Sequence, residues 1–183
     1  MIGHDLAPLS AATRPLAIPL LSLLLAACMS PPDVPPQAVG QPLALESFFA
    51  GQSEGEGVFV NSWTGSERRF HVDIAGRWDG TTLTLVEDFA YADGEKDRKT
   101  WTLKQSGPGT FTGTREDVIG EARVWTDGPV VRLAYDVKLG GWAVGFSDVL
   151  ALRPDGSLLN RATVGKWGIR LGRVELVLRK RTA

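Results

Sequence analysis

Residues 69–91 read RFHVDIAGRWDGTTLTLVEDFAY and decide the fold, because they hold two alternating runs around an Asp-Gly pair. Apolar side chains occupy most alternate positions of both runs, which is the period of a strand with one buried face. Asp79-Gly80 between them is typical of a tight hairpin turn, since both residues tolerate positive φ. The stretch therefore predicts an antiparallel hairpin. Its buried face takes Phe70, Val72, Ile74, Trp78, Leu83, Leu85, Phe89 and Tyr91.

The alternation continues towards the C-terminus, with turn signals between the runs. These signals recur roughly every twelve to fifteen residues, apart from one interval of about twenty, which is typical of an all-β protein built of hairpins. Such strands form either a sandwich or a barrel, and the short turns favour an antiparallel up-and-down barrel. We expect nine or ten strands, depending on whether Phe111 to Trp125 is one bent strand or two. In the last segment the alternating apolar residues change from odd-numbered to even-numbered positions, which predicts a bulge near Gly172.

The charge of the chain argues against two classes of protein. Its 183 residues hold 20 Lys plus Arg and 21 Asp plus Glu, so the formal net charge is -1. A nucleic-acid-binding domain would show a basic surplus, so no nucleic-acid partner is expected. A membrane-spanning barrel is also disfavoured, because lipid would not accept the charged outward rows. These rows include Arg69, Asp73, Arg132, Asp136 and Lys138.

Cysteine and histidine are too scarce for most catalytic schemes. The chain has one cysteine, Cys28, and two histidines, His4 and His71. An internal disulfide is therefore impossible, and most metal sites and nucleophilic catalytic sites would lack the cysteine or histidine side chains that they need. His71 falls on the polar face of its strand, where a solvent-facing position is expected. We expect no metal, no cofactor and no enzymatic activity.

The N-terminal segment resembles a bacterial lipoprotein signal. Pro15 to Ala27 reads PLAIPLLSLLLAA after a single basic residue, Arg14. This stretch has the length of a signal-peptide h-region and is too short to span a bilayer. Leu25-Ala26-Ala27-Cys28 then looks like a lipobox, in which the cysteine sulfur takes the lipid. The alternative is an ordinary secretory signal with a coincidental cysteine.

The lipobox predicts three segments: a signal peptide over 1–27, a lipidated tether over 28–44 and a β-barrel domain over 45–183. Met29 rather than Asp follows the cysteine, which favours the outer membrane, with the domain facing the periplasm. The tether is rich in proline and, at ~3.1 Å per residue, would hold the domain up to about 40 Å from the membrane. We interpret it as a spacer without a partner. Glu46 to Phe49 could form a short helical turn that plugs one end of the barrel.

Several short motifs resemble the uncharacterised bacterial lipoproteins called domain of unknown function 3833. The resemblance covers about residues 46 to 180 and implies a lipocalin-like (calycin-type) barrel on a lipid anchor. It implies no established activity, so a function drawn from this fold alone is an analogy. The matching stretches are Gly76–Gly80, Leu83–Phe89 with Tyr91 and Asp93–Gly94, Trp101–Leu103, Gly109–Gly113, Asp117–Ala122, Asn160–Ala162 and Lys166–Gly172.

Three polar residues, Glu87, Asp148 and Asn160, interrupt otherwise apolar rows. A carboxylate that points into a barrel is costly unless it is paired, so the two acids should find a cation or have raised pKa values. Arg161 is one candidate partner, and Arg98 and Lys166 are others. The acids could form a structural ion-pair network, recognise a polar ligand group, or support weak hydrolysis in an open cleft.

The apolar inward rows, interrupted by few polar residues, favour a protein that binds a hydrophobic or amphipathic small molecule inside the barrel. An apolar body would lie against residues such as Leu85, while the polar residues would orient a polar head. The alternative is a filled barrel that serves as an envelope scaffold or a protein-interaction module. We expect a monomer whose membrane contact runs through the anchor at Cys28. The ligand-binding candidates are Glu87, Asp148, Asn160, Arg161, Phe89, Tyr91, Tyr135 and Phe146.

Six tryptophans are spread along the chain, and their aromatic rings could stack on a sugar or lipid. Packing in the core or at the rim of the barrel is the favoured interpretation. They are Trp63, Trp78, Trp101, Trp125, Trp142 and Trp167.

Overall fold

A computed structural model describes residues 32–181, so the predicted signal peptide and Cys28 lie outside the described residues. Ten antiparallel strands form a closed barrel in which sequence neighbours pair and β1 closes on β10. The predicted lipocalin-like up-and-down barrel is confirmed, with ten strands because β5 and β6 are separate. The strands are β1 (Gly51–Asn61), β2 (Glu67–Trp78), β3 (Thr82–Tyr91), β4 (Lys96–Gly107), β5 (Thr110–Thr114), β6 (Ala122–Asp127), β7 (Val130–Leu139), β8 (Trp142–Leu152), β9 (Leu158–Lys166) and β10 (Ile169–Lys180).

The predicted bulge lies on β10, where the register with β9 shifts between Arg170 and Gly172. A side chain at Gly172 could not be accommodated, because a Cβ atom there would lie 2.4 Å from the ring of Phe59. The glycine lets Phe59 fill the barrel at this height. The extra residue changes which side chains of β10 point inwards, and this accounts for the parity slip in the sequence.

The two ends of the barrel differ. A short helix, α1 (Leu45–Phe49), precedes β1 and buries Leu45, Phe48 and Phe49. We call this the plug end; it also carries the β2–β3, β4–β5, β6–β7 and β8–β9 turns. Gly76 is needed beside the helix, since a Cβ atom there would lie 1.7 Å from the carbonyl oxygen of Phe49. The predicted helical turn is confirmed, and it closes a packed apolar core.

The opposite end, which we call the rim end, carries the β1–β2, β3–β4, β5–β6, β7–β8 and β9–β10 connections. Its β5–β6 loop, residues 115–121, completes the barrel wall above the two short strands. The amide of Ile119 donates to the carbonyl of Asp136, and the amide of Lys138 donates to that of Asp117. The loop therefore lies against β7, and its first residue, Arg115, points towards the interior.

Residues 32–44 lie against the outer wall of the barrel. Val34 is buried in a cluster with Val149 and Leu159. Arg161 donates a hydrogen bond to the carbonyl of Asp33, and the amide of Gly40 donates to a β8 carbonyl. This part of the tether differs from the spacer we expected, because its apolar side chains gain more by covering the wall than by remaining in water.

Candidate functional site

The three polar residues that the sequence singled out all lie inside the barrel. Glu87 on β3 has a side chain 14% exposed, and Asp148 on β8 is 5% exposed. Asn160 on β9 donates from its Nδ2 to Asp148 Oδ2 at 3.4 Å. The inward rows that contain them are otherwise apolar, so each was visible as a break in the strand period. We call Glu87, Arg115, Tyr135, Asp148 and Asn160 the interior cluster.

The cation of this cluster is Arg115, which sequence reasoning missed. Its Nη1 lies 4.0 Å from Glu87 Oε2, while its Nε donates to Asp117 Oδ1 at 2.7 Å. The guanidinium lies over the ring of Trp101, 4.7 Å from its centroid, and 5.5 Å from that of Tyr135. The sequence did indicate that Arg115 points inwards. Phe111, Gly113 and Arg115 occupy alternate positions, so Arg115 continues the inward row of β5 just beyond the end of the strand.

The three cations proposed from the sequence are wrong as partners of the interior acids. Arg161 is on the outer wall, where its Nε binds Glu175 at 2.9 Å, so it is not an interior ligand-binding residue either. Arg98 pairs with Asp88 outside the barrel. Lys166 lies at the rim end, with its ammonium group over tryptophan rings. For Arg161, adjacency to Asn160 misled the prediction, because neighbouring residues of a strand point to opposite faces.

Burial controls the protonation of both acids. Desolvation raises the pKa of Glu87 to about 7; Arg115 lowers this pKa and Asp148 raises it further. Desolvation likewise raises the pKa of Asp148 to about 7, against the opposing hydrogen bond from Asn160. At 4.0 Å, one guanidinium is too distant and too engaged with Asp117 to offset the loss of water around two carboxyl groups. Burial also raises the pKa of the Tyr135 hydroxyl well above its usual value.

Two oxygen atoms of the interior cluster have no hydrogen-bond partner among residues 32–181. They are Asp148 Oδ1 and Asn160 Oδ1, and both are buried. An unsatisfied buried polar group costs ~1–3 kcal/mol, so such atoms normally meet a ligand or an ordered water. Asn160 Oδ1 is an acceptor, whereas Asp148 Oδ1 accepts when the carboxyl group is ionised and can donate when it is protonated. A molecule that satisfied both atoms would therefore bring a donor to Asn160 and a hydroxyl or amide group to Asp148.

Aromatic side chains surround the cluster on the side of the rim end. The rings of Tyr135 and Phe146 are stacked with centroids 5.2 Å apart, and Trp101 meets Tyr135 edge-on at 5.1 Å. Phe89 and Tyr91 stack at 6.1 Å further round the wall. The aromatic candidates from the sequence therefore share the barrel interior with the acids. Leu85 is 4% exposed and belongs to the packed core, against which Phe89, Tyr91 and Tyr135 also lie.

Two depressions of the described surface lie away from the interior cluster. A groove of about 420 Å³ runs over the outer wall between β9 and β10 and is lined by Pro32, Arg161 and Arg173 among others. A smaller one of about 230 Å³ lies beside α1 and is lined in part by Leu43 and Phe111. Neither of these two depressions is lined by Glu87, Asp148 or Asn160.

Potential metal ligands among residues 32–181 come together on the outer wall. Ligand atoms of Glu54, His71 and Asp73 lie within 4.8 Å of one another. Arg181 donates to both carboxylates, so its guanidinium already occupies the position that a cation would take. His71 lies on the polar face as expected and contacts Glu56 at 2.8 Å, a hydrogen bond that raises the pKa of its imidazole.

Comparison with known proteins shows a family and a fold. Residues 22–180 match the family model described as protein of unknown function (DUF3833). No curated protein sequence matches the chain. Among solved structures, the S-type phycobiliprotein lyase CPES from Guillardia theta is similar, with a TM-score of 0.56 at 9% identity. The alignment covers 77% of this chain and 94% of the lyase chain. At this identity the similarity concerns the fold alone.

Proposed function

The chain belongs to the DUF3833 family, and from this premise and the geometry of its interior we propose that it binds an amphipathic small molecule inside the barrel. The observation that carries the proposal is the pair of buried oxygen atoms without a hydrogen-bond partner, Asp148 Oδ1 and Asn160 Oδ1, within an aromatic wall. The head of the molecule would bring a hydroxyl, amine or amide donor to Asn160 Oδ1 and a hydroxyl or amide group to Asp148 Oδ1. Its apolar body would lie towards the rim end against Phe89, Tyr91 and Phe146.

A binding role suits the cluster better than a catalytic one. Hydrolysis by two carboxyl groups needs a water molecule and the substrate in contact with both acids. Glu87 and Asp148 are instead both buried, and neither of the two described depressions forms a cleft that exposes them together. Arg115 completes a network that can orient a polar head by charge and hydrogen bonding.

The location of the protein is part of the proposal. A lipid on Cys28 would hold the barrel at the outer membrane, facing the periplasm, as a monomer. Cys28 lies outside the described residues, and its modification is supported by the sequence context alone. Among residues 32–181, the helices are too short and insufficiently apolar to cross a bilayer. The mass of the mature N-terminal peptide, with acyl chains on the cysteine, would test the anchor directly.

Native mass spectrometry of the protein purified from a bacterial envelope would test ligand binding. We expect an added mass that denaturation releases, and this mass should be reduced several-fold in Asp148→Asn and Asn160→Leu. Arg161→Met is the matched control, since Arg161 sits one residue from Asn160 but faces outwards. A bare polypeptide, repeated after incubation with envelope lipid extract, would refute the proposal.

A filled barrel without ligand is the second candidate, and one observation favours it. Aromatic rings occupy the space beside two interior glycines: a Cβ at Gly57 would lie 2.3 Å from Phe70, and one at Gly172 would meet Phe59. The interior would then serve stability, and the outer wall would carry the function. The same mass measurement separates the two candidates, because a scaffold retains no releasable small molecule.

A further inference from the structure

Large exposed apolar side chains are confined to one end of the barrel. Among the described residues, six such side chains are exposed, and all of them lie in or beside connections of the rim end. Trp167 and Trp63 are 81% and 73% exposed, which is unusual for the residue that buries the largest apolar surface. The six are Trp63, Ile119, Leu139, Trp142, Trp167 and Ile169.

Five of these side chains form one continuous arc of the rim. The β1–β2, β9–β10 and β7–β8 turns follow one another around the barrel, because β1 pairs with β10 and β9 with β8. Trp63 Nε1 donates to the carbonyl of Arg170 at 3.2 Å, which joins the first two turns. Trp142 and Trp167 meet edge-on at 6.4 Å, which joins the second and third. We call this arc the tryptophan rim: Trp63, Leu139, Trp142, Trp167 and Ile169.

The tryptophan rim is cationic as well as apolar. Lys166 holds its ammonium group 3.5 Å from the ring centroid of Trp142 and 4.3 Å from that of Trp167. Lys138 and Arg170 stand beside the same turns, with Asp136 and Glu67 as nearby carboxylates, the second of which pairs with Arg69. The connections of the other arc of the rim end carry mostly acids, although Lys96 begins the strand that follows one of them. These acids are Asp93, Glu95, Glu116, Asp117 and Glu121, with Arg68 paired to the first two.

The N-terminal segment climbs the outer wall towards the same end. Gly40 bonds the carbonyl of Leu152, where β8 reaches the plug end. Pro32, eight residues earlier, lines the outer groove with Thr163 in the second half of β9. The segment passes over β7, β8 and β9, so it lies below the tryptophan rim and not below the acidic arc. Arg132 Nη1 donates to the carbonyl of Pro32 and Arg161 Nη1 donates to that of Asp33, each at 3.3 Å, so the described segment begins on the outer wall below this arc.

We propose that the tryptophan rim lies in the interfacial layer of a lipid bilayer, so that the rim end of the barrel faces the membrane. Tryptophan is enriched at membrane interfaces because its ring is apolar at one side and carries an N–H donor. Lys138, Lys166 and Arg170 would meet anionic headgroups, to which basic residues are attracted. The inference rests on the proposed anchor at Cys28 for its orientation. It also places Arg115 and the aromatic interior at the end that faces lipid.

Site-specific quenching would test the orientation. The chain's one cysteine is occupied in the lipidated protein, so a single new cysteine can carry a fluorescent probe. Ser62→Cys places the probe at the rim end, and Thr81→Cys places a matched probe in an exposed plug-end turn. The full lipidated protein is reconstituted into vesicles of phosphatidylethanolamine and phosphatidylglycerol that contain brominated lipid. We expect the Ser62 probe to be quenched several-fold more than the Thr81 probe.

A second variant separates contact by the rim from the effect of the anchor alone. Replacing Trp63, Trp142 and Trp167 by serine should bring quenching at Ser62 down to the level at Thr81. Trp125→Ser is the matched control, because Trp125 faces outwards on β6 away from the rim. Equal quenching of the two probes, or a triple variant that behaves as the wild type, would overturn the inference.

Mass spectrometry of the same protein tests separately whether Cys28 carries acyl chains. Absence of acyl chains on Cys28 would refute the proposed anchor. The same probes in a Cys28→Ser chain mixed with vesicles would then test whether the tryptophan rim contacts lipid without the anchor. Quenching at Ser62 would support this contact, and the loss of quenching would refute it. Failure of the anchor and failure of the rim contact are thus distinguishable.

Discussion

Replacing Glu87 with glutamine tests whether burial, rather than ion pairing, controls the interior cluster. The glutamine amide resembles the protonated acid in size and cannot ionise. If burial dominates, the folded wild type keeps a proton on Glu87 up to a pKa of about 7, whereas the unfolded chain releases it near 4.5. The folded state therefore binds more protons between these two values, and the stability of the wild type should fall as pH rises through that window.

The difference between 4.5 and about 7 corresponds to about 3 kcal/mol, at ~1.4 kcal/mol per pH unit. The stabilisation is fully present below pH 4.5 and is lost by the time the pH has passed 7. Asp148 adds a similar contribution, since burial raises its pKa from 3.8 to about 7. At pH 8 we expect Glu87→Gln to be more stable than the wild type by about 3 kcal/mol, and near pH 4.5 the two should be equal.

Urea unfolding followed by tryptophan fluorescence at pH 5, 6, 7 and 8 would measure this. The slope of unfolding free energy against pH should be about half as steep in Glu87→Gln as in the wild type, because Asp148 still titrates. Asp88→Asn is the matched control: its carboxylate is the next along β3, faces outwards and has a pKa lowered by its hydrogen bond from Arg98. An unchanged slope together with a less stable protein at pH 8 would show that Glu87 is ionised and paired, which would refute the reasoning.

Three further outcomes are expected. Gly76→Ala should destabilise the fold by roughly 1–3 kcal/mol, because the new Cβ would overlap the carbonyl of Phe49. Ala75→Ser on the outer face should change the urea midpoint little, and equal effects of the two substitutions would contradict close packing of α1 against Gly76. Arg115→Met removes the charge that lowers the pKa of both interior acids, so the pH window of stability loss should move upwards in the same urea series, and an unmoved window would deny Arg115 that role. Val34→Ser should cost about 1–3 kcal/mol of apolar burial and make residues 32–44 more sensitive to limited proteolysis, whereas cleavage at the wild-type rate would mean that the segment is not held by this contact.

Much of the fold could be predicted from the sequence, because the strand period is a local property. Alternation and Asp-Gly turns gave the hairpins, and the parity slip gave the bulge near Gly172. The inward positions of Glu87, Asp148 and Asn160 followed from the same period. Whether Phe111 to Trp125 formed one strand or two stayed open, since a bent strand and two strands joined by a loop have similar patterns.

The pairing of the cluster could not be predicted in the same way. Arg115 lies 28 residues from Glu87 and 33 from Asp148 along the chain, and the barrel register alone brings the three together. Arg161 was suggested by its place beside Asn160, but the strand period turns it outwards to Glu175. Nor did the proline-rich composition of residues 32–44 show that Val34 would find a matching apolar patch on β8 and β9.

The sequence by itself therefore determined the strands, their inward faces and the residues that break those faces, because each depends on neighbours two positions apart. Tertiary structure decided which cation meets the acids, which end α1 closes, and that the exposed tryptophans of three turns form one arc. These features depend on closure of the barrel, which brings together residues far apart in the chain and removes water from around them. Desolvation of the carboxyl groups of Glu87 and Asp148 follows from that closure, and it raises the pKa of both.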